Sequence, residues 1–94
     1  MKVVVVYSMD GCPHCTSLKS MLKEEKVSFQ ERNIKDYEEE YSQFVKVMSN
    51  EYLPAITLIE MNEEDKPNIQ LLAPDTSFKD LHEAVNKIKD FLLE

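Results

Sequence analysis

Cys12 and Cys15 are the two thiols of the chain, three residues apart with Pro13 and His14 between them. That spacing serves three chemistries: a redox pair, half of a metal site, or two cysteines buried in a core. If Cys12 caps a helix that Pro13 opens, its sulfur lies beside unbonded backbone N–H groups and the positive end of the helix dipole. Both favour the thiolate, the nucleophilic form, so Cys12 is expected to ionise below the ordinary thiol range. His14, when protonated, adds to the effect. Cys15, one helical turn on and inward, is expected to be buried and harder to ionise. A separation of three in a helix's first turn brings two Cα atoms within disulfide reach. Cys12 then attacks a disulfide to give a mixed disulfide, which either Cys15 or a small thiol resolves.

The rival chemistries ask for more than the sequence offers. A structural zinc needs four ligands, and the candidates are Cys12, Cys15, His14 inside the motif and His82 far along the chain. No metal site is therefore expected. Two inert core cysteines would leave Gly11 and Pro13 without purpose beside them.

The motif needs a strand before it and a helix after it. Val3 to Tyr7 is a continuous apolar, β-branched run, as in a strand buried on both faces. Gly11, the one glycine, supplies a turn, and Cys15, Leu18 and Leu22 follow at helical spacing. Val27 to Ile34 predicts a second strand. Tyr37, Tyr41, Phe44, Val45 and Met48 mark one face of a second helix. Ala55 to Glu60 predicts a third strand, and the turn "NEEDK" leads into a fourth, "NIQLLA", as an antiparallel hairpin. Ser77 to Asp80 has the form of a capping box, opening a helix marked by Phe78, Leu81, Val85, Ile88 and Leu92. The order β-α-β-α-β-β-α predicts an α/β fold: a mixed four-stranded sheet with three helices on its two faces.

Ninety-four residues with 43% hydrophobic content allow one domain, residues 1–94, with a modest core. No run approaches a membrane span, and "MKVVVVYS" lacks the cleavage site of a signal peptide. Two cysteines without a signal point to a reducing cytoplasm. The net charge is −7. Residues 1–34 hold five basic and four acidic side chains, and residues 35–94 hold six and fourteen. Nucleic-acid binding is not expected, because no basic stripe exists to neutralise phosphates. The acidic runs "DYEEE" and "NEEDK" read as solvated faces.

Three stretches make the chain resemble the glutaredoxins of the thioredoxin superfamily: "CPHC" after the first strand, "YLPAI" opening the third, and "TSFKDL" before the last helix. The resemblance implies a thioredoxin-like fold and a thiol–disulfide oxidoreductase reducing disulfides or glutathione mixed disulfides. Glutathione would be the co-substrate, no cofactor would be tightly bound, and the protein would act as a monomer. It assigns Cys12 as nucleophile, Cys15 as resolving thiol, and Pro13 and His14 as tuning residues. Leu53 and a cis Pro54 would offer a backbone edge to the substrate, and Asp80 would bind glutathione. The Pro-His pair also resembles that of a periplasmic dithiol oxidant, which implies a more oxidising potential.

The chain departs from the family pattern at four positions. Met9 stands where a lysine is common, Thr76 and Ser77 replace a Gly-Gly pair, and Lys79 takes the first of two acidic positions. Lys79 or Lys19 would have to supply the missing positive charge. Two alternatives follow. One is a glutathione-independent electron donor to a dedicated protein, such as a ribonucleotide reductase, recharged by thioredoxin reductase. The other is a non-catalytic binding module or a holder of an iron–sulfur cluster between two subunits.

Overall fold

Consecutive valines favour extended backbone because branching at Cβ crowds the helical alternative. Val3 to Val6 form the middle of β1 (Lys2–Ser8) in the structure, a computed structural model that describes residues 1–62 and 66–93. The elements that follow are α1 (Pro13–Glu24), β2 (Gln30–Asn33), α2 (Glu38–Met48), β3 (Ala55–Met61), β4 (Pro67–Leu72) and α3 (Leu81–Leu93). The sheet order is β2-β1-β3-β4. β1 runs parallel to β2 and antiparallel to β3, and β4 is antiparallel to β3. This is the mixed four-stranded, three-helix architecture expected from the order of elements, and the thioredoxin-like fold that the resemblance implies.

β1 and β3 are the inner strands, and side chains alternate across them. Val4 and Val6 join Leu18, Leu22, Ile56, Leu58 and Ile88 in the layer under α1 and α3. Val5 and Tyr7 join Phe44, Ala55 and Ala73 in the thinner layer under α2. Each large aliphatic side chain so buried stabilises the fold by roughly 1.5–3 kcal/mol before entropy is counted. Tyr7, Tyr41 and Phe44 pack ring against ring at 5.8–6.3 Å. The Tyr7 hydroxyl donates to Glu40, which also accepts from Arg32, so a polar tie closes this layer.

Three expectations shift. β2 starts at Gln30 rather than Val27, because Val27 is spent on ending α1. Its N–H donates to the Leu22 carbonyl at 2.9 Å and that of Lys26 to Lys23 at 3.0 Å, with Lys26 at φ 59. That is a Schellman cap, and Val27 packs back on the core as its apolar partner. On α2 the aromatic stripe is buried only at Phe44, with Tyr41, Val45 and Met48 half-buried. Tyr37 precedes the helix and lies exposed beneath the Arg32 guanidinium, 5.1 Å from its ring.

The last helix begins at Leu81, not beside Ser77. Asp80 is the cap, its Oδ1 accepting the N–H of Glu83 at 2.8 Å. Ser77 Oγ instead accepts the N–H of Ala73 at 3.1 Å. The backbone between them is closed as a turn, Ser77 N–H to the Ala73 carbonyl and Asp75 N–H to the Phe78 carbonyl, both at 2.9 Å. Phe78 therefore reaches the core from a loop. The hairpin pairing of β3 and β4 is present, while residues 63–65 of the expected "NEEDK" turn lie outside the described residues. Among the described residues no helix is long and apolar enough to cross a membrane.

Candidate active site

β1 delivers the chain to the end of the sheet, and the turn that follows must reverse it into α1. Gly11 makes that turn at φ +77, a value that strains any residue with a Cβ. The turn is tethered sideways: Asp10 Oδ1 accepts from Asn33 Nδ2 at 3.2 Å, and Asp10 pairs with Lys35 at 3.6 Å. Cys12 is then the N-cap of α1 in extended conformation, with Pro13 in the first helical turn. Its sulfur accepts the N–H of Cys15 at 3.2 Å, one of the donors a helix start leaves unbonded. The carbonyl of Cys12 accepts from the N–H and the hydroxyl of Thr16.

The two cysteines are joined in a disulfide with Cα atoms 5.3 Å apart. Cys12 is half-buried at the surface, while Cys15 is only 1% exposed and sits behind it. Reduction of that bond leaves one thiol facing outward on a helix N-terminus and one facing the core. Such an arrangement can pass two electrons to a disulfide that reaches Cys12.

A cleft of about 420 Å³ opens beside the helix start. It brings His14 together with Leu53, Pro54 and Asp80, four of the seven residues singled out in the sequence. Cys12, Pro13 and Cys15 are not in its lining, so His14 joins the cleft to the motif. The Leu53–Pro54 bond is cis, and Pro54 is buried at the entry to β3. The cleft also holds Tyr52, Pro74, Asp75 and Lys79, which sequence reasoning had not placed together. Asp75 is at φ 65, and a proline followed by aspartate is a turn signal that could have marked it.

The departures from the expected pattern resolve differently from one another. Met9 is 47% exposed. Thr76 Oγ1 accepts from Asn50, and Ser77 is used within its own turn. Lys79 lines the cleft, whereas Lys19 is ion-paired with Glu31 and faces a different surface with Lys23 and Phe29. Lys19 therefore does not supply charge to the cleft. Among the described residues no group of three or more His, Cys, Asp or Glu is placed to hold a metal ion, and His82 is exposed on α3.

The sequence matches the glutaredoxin family model over residues 4–61. No curated protein matches it significantly. Glutaredoxin 1 from Francisella tularensis, crystallised with cacodylate, superposes with a TM-score of 0.55 at 17% identity, covering 100% of both chains. Thioredoxin from Trichomonas vaginalis superposes at 0.60 with 15% identity over 98% of this chain and 78% of its own. A crystallised thioredoxin-like protein gives 0.57 with 17% identity over 94% and 97%.

Proposed function

This chain belongs to the glutaredoxin family, a thiol–disulfide oxidoreductase family, and we propose that it reduces glutathione mixed disulfides of peptides and proteins through Cys12. The observation that carries this reading is the capped, surface-facing Cys12 with Cys15 buried behind it, beside a cleft whose lining includes Leu53 and Pro54. The Cys12 thiolate attacks the glutathione sulfur of the mixed disulfide. The old S–S bond breaks, and the peptide leaves as a thiolate that takes up a proton. A second glutathione thiolate then attacks the glutathionylated Cys12, releasing oxidised glutathione and restoring the thiolate. Alternatively Cys15 attacks Cys12, releasing glutathione and leaving the Cys12–Cys15 disulfide for two further glutathiones to reduce.

In this scheme the Leu53 backbone pairs with the substrate as an added strand would. Asp75 and Asp80 face its ammonium group, and the Lys79 ammonium faces a carboxylate. Pro13 and the helix start set the reactivity of Cys12, and His14 tunes it. The compartment is a reducing cytoplasm and the working unit a monomer. The test is turnover of a glutathionylated peptide at fixed glutathione. Cys12→Ser should abolish it, and Cys15→Ser should retain it through the glutathione route. Full activity in Cys12→Ser would overturn the assignment.

A second reading draws on two exposed apolar side chains near the motif, Met9 at 47% and Tyr52 at 65%. They suit a protein surface better than a tripeptide. Here Cys12 would reduce a partner protein's disulfide, Cys15 would resolve it, and thioredoxin reductase would recharge the pair. Reduction of the oxidised protein by NADPH and thioredoxin reductase, but not by glutathione, would favour this reading over the first.

A further inference from the structure

β3 and β4 leave the sheet at the same end as the cleft. Ile56 pairs with Leu72, and continuing that register sets Pro54 opposite Pro74. Neither proline has an N–H to donate, so neither can extend the ladder. The chain on either side of this point separates into two walls, residues 52–54, which Asn50 and Glu51 lead into, and residues 74–80, with the cleft between them.

One side chain is hydrogen-bonded to both walls. Asn50 Nδ2 donates to the Pro74 carbonyl at 2.7 Å and to Thr76 Oγ1 at 3.1 Å. Its Oδ1 accepts the N–H of Tyr52 at 2.9 Å. Both amide protons and the carbonyl oxygen of the side chain are thus engaged, in a half-buried setting where a lost partner is costly. Each wall is also braced on its own side. Residues 73–78 close on themselves through the Ala73, Asp75 and Ser77 N–H groups. The Glu51 carbonyl accepts from the Tyr41 hydroxyl at 2.8 Å. Asn50 supplies the cross-tie that the two prolines deny to the backbone.

Resting on the reading that this cleft receives the substrate, we infer that Asn50 is a positioning residue. It fixes the separation between the Leu53–Pro54 edge and the Asp75–Asp80 wall, and so sets how tightly a peptide mixed disulfide is held. Its hydrogen bonds run to Pro74, Thr76 and Tyr52 and to neither sulfur, so its effect belongs to binding rather than to the exchange step. The side chain also divides chemically. Asn50→Asp keeps the acceptor for Tyr52 but turns a carboxylate oxygen toward the Pro74 carbonyl, so the tie to that wall is reduced to a hydrogen bond donated by the Thr76 hydroxyl. Asn50→Ala releases both.

The experiment compares amide hydrogen exchange in the full chain and in the two variants, with KM and kcat for a glutathionylated peptide and the alkylation rate of Cys12. In Asn50→Ala, exchange at Tyr52, Asp75 and Ser77 should speed by about tenfold while the β1–β3 ladder is unchanged. In Asn50→Asp, Tyr52 should stay protected and Asp75 and Ser77 should not. KM should rise about tenfold in both variants, with kcat and alkylation within about twofold. Unchanged exchange at Asp75 and Ser77, or an unchanged KM, would overturn the assignment. A fall in alkylation matching the rise in KM would also overturn it, since Asn50 would then act on the thiol. If the wild-type protein fails to turn over the peptide, the functional reading fails, and the exchange comparison still decides whether Asn50 couples the walls.

Discussion

The sulfur of Cys12 accepts the backbone N–H of Cys15 at 3.2 Å, so the residue that caps α1 is held by the residue it shares a disulfide with. In this disulfide-bonded form Cys15 is 1% exposed among the core side chains, while Cys12 is half-buried at the surface. The two thiols should therefore differ sharply in reactivity. Brief exposure of the reduced protein to iodoacetamide should modify Cys12 at least about tenfold faster than Cys15. Peptide mapping by mass spectrometry checks this. Equal labelling would mean that Cys15 is not hidden in the reduced form.

Asp80 has two duties that substitutions can separate. It lines the cleft, and it accepts the N–H of Glu83 as the cap of α3. Asp80→Ala should lose about 1 kcal/mol of stability, a fall in Tm of roughly 4–8 °C in a domain of this size. Asp80→Ser restores a capping oxygen without the charge, so it should melt near the wild-type temperature. Both variants should show a higher KM for a glutathionylated peptide. A wild-type melting curve for Asp80→Ala would remove the capping role.

Why the site was only partly legible in the sequence follows from where its residues gain their roles. Gly11, Cys12 and Pro13 act through local backbone geometry, so their spacing was enough to place them at a helix start. β1 and β3 were legible because each carries a mostly apolar, β-branched run, Val3 to Tyr7 and Ala55 to Ile59. The start of α3 was not. "TSFKD" offers three capping residues, of which Thr76 is taken by Asn50 and Ser77 by the Ala73 N–H, leaving Asp80. Val27 misled for a similar reason, since an apolar residue after a helix serves a Schellman cap as well as a strand. The cleft was least legible. Asn50 and Pro74 are 24 residues apart and meet only through the register of β3 on β4.

Tyr7 gives the fold a dependence on alkaline pH. Burial first, and then the adjoining Glu40, push its phenol up from 10.0 to about 12. Between these values the folded protein keeps a proton that the unfolded chain has lost. Stability from this group is therefore complete below pH 10 and declines as pH rises towards 12. Tyr41, also raised by burial, acts in the same direction. In denaturant unfolding between pH 9 and pH 11, Tyr7→Phe should lose less stability than the wild-type protein. At pH 8 it should be weaker by roughly 0.5–1.5 kcal/mol for the lost hydrogen bond. Parallel pH curves for the two proteins would show that Tyr7 ionises normally.

Lys79 and Lys19 allow the charge of the cleft to be tested by contrast. Both lysines were candidates for the cation that Met9 does not provide. The structure separates them: Lys79 lines the cleft and has no ion-pair partner among the described residues, whereas Lys19 is paired with Glu31 on another surface. An exposed ammonium facing a substrate carboxylate contributes modestly and is screened by salt. Lys79→Ala should therefore raise KM for a glutathionylated peptide by about two- to fivefold, with kcat held. The effect should shrink as salt is raised from 0.05 to about 0.5 M. Lys19→Ala should leave KM within about 1.5-fold of wild type, since its charge is spent on Glu31. If Lys19→Ala gave the larger effect, the substrate would approach α1 from the side away from Leu53 and Pro54. The cleft would then not be where binding occurs.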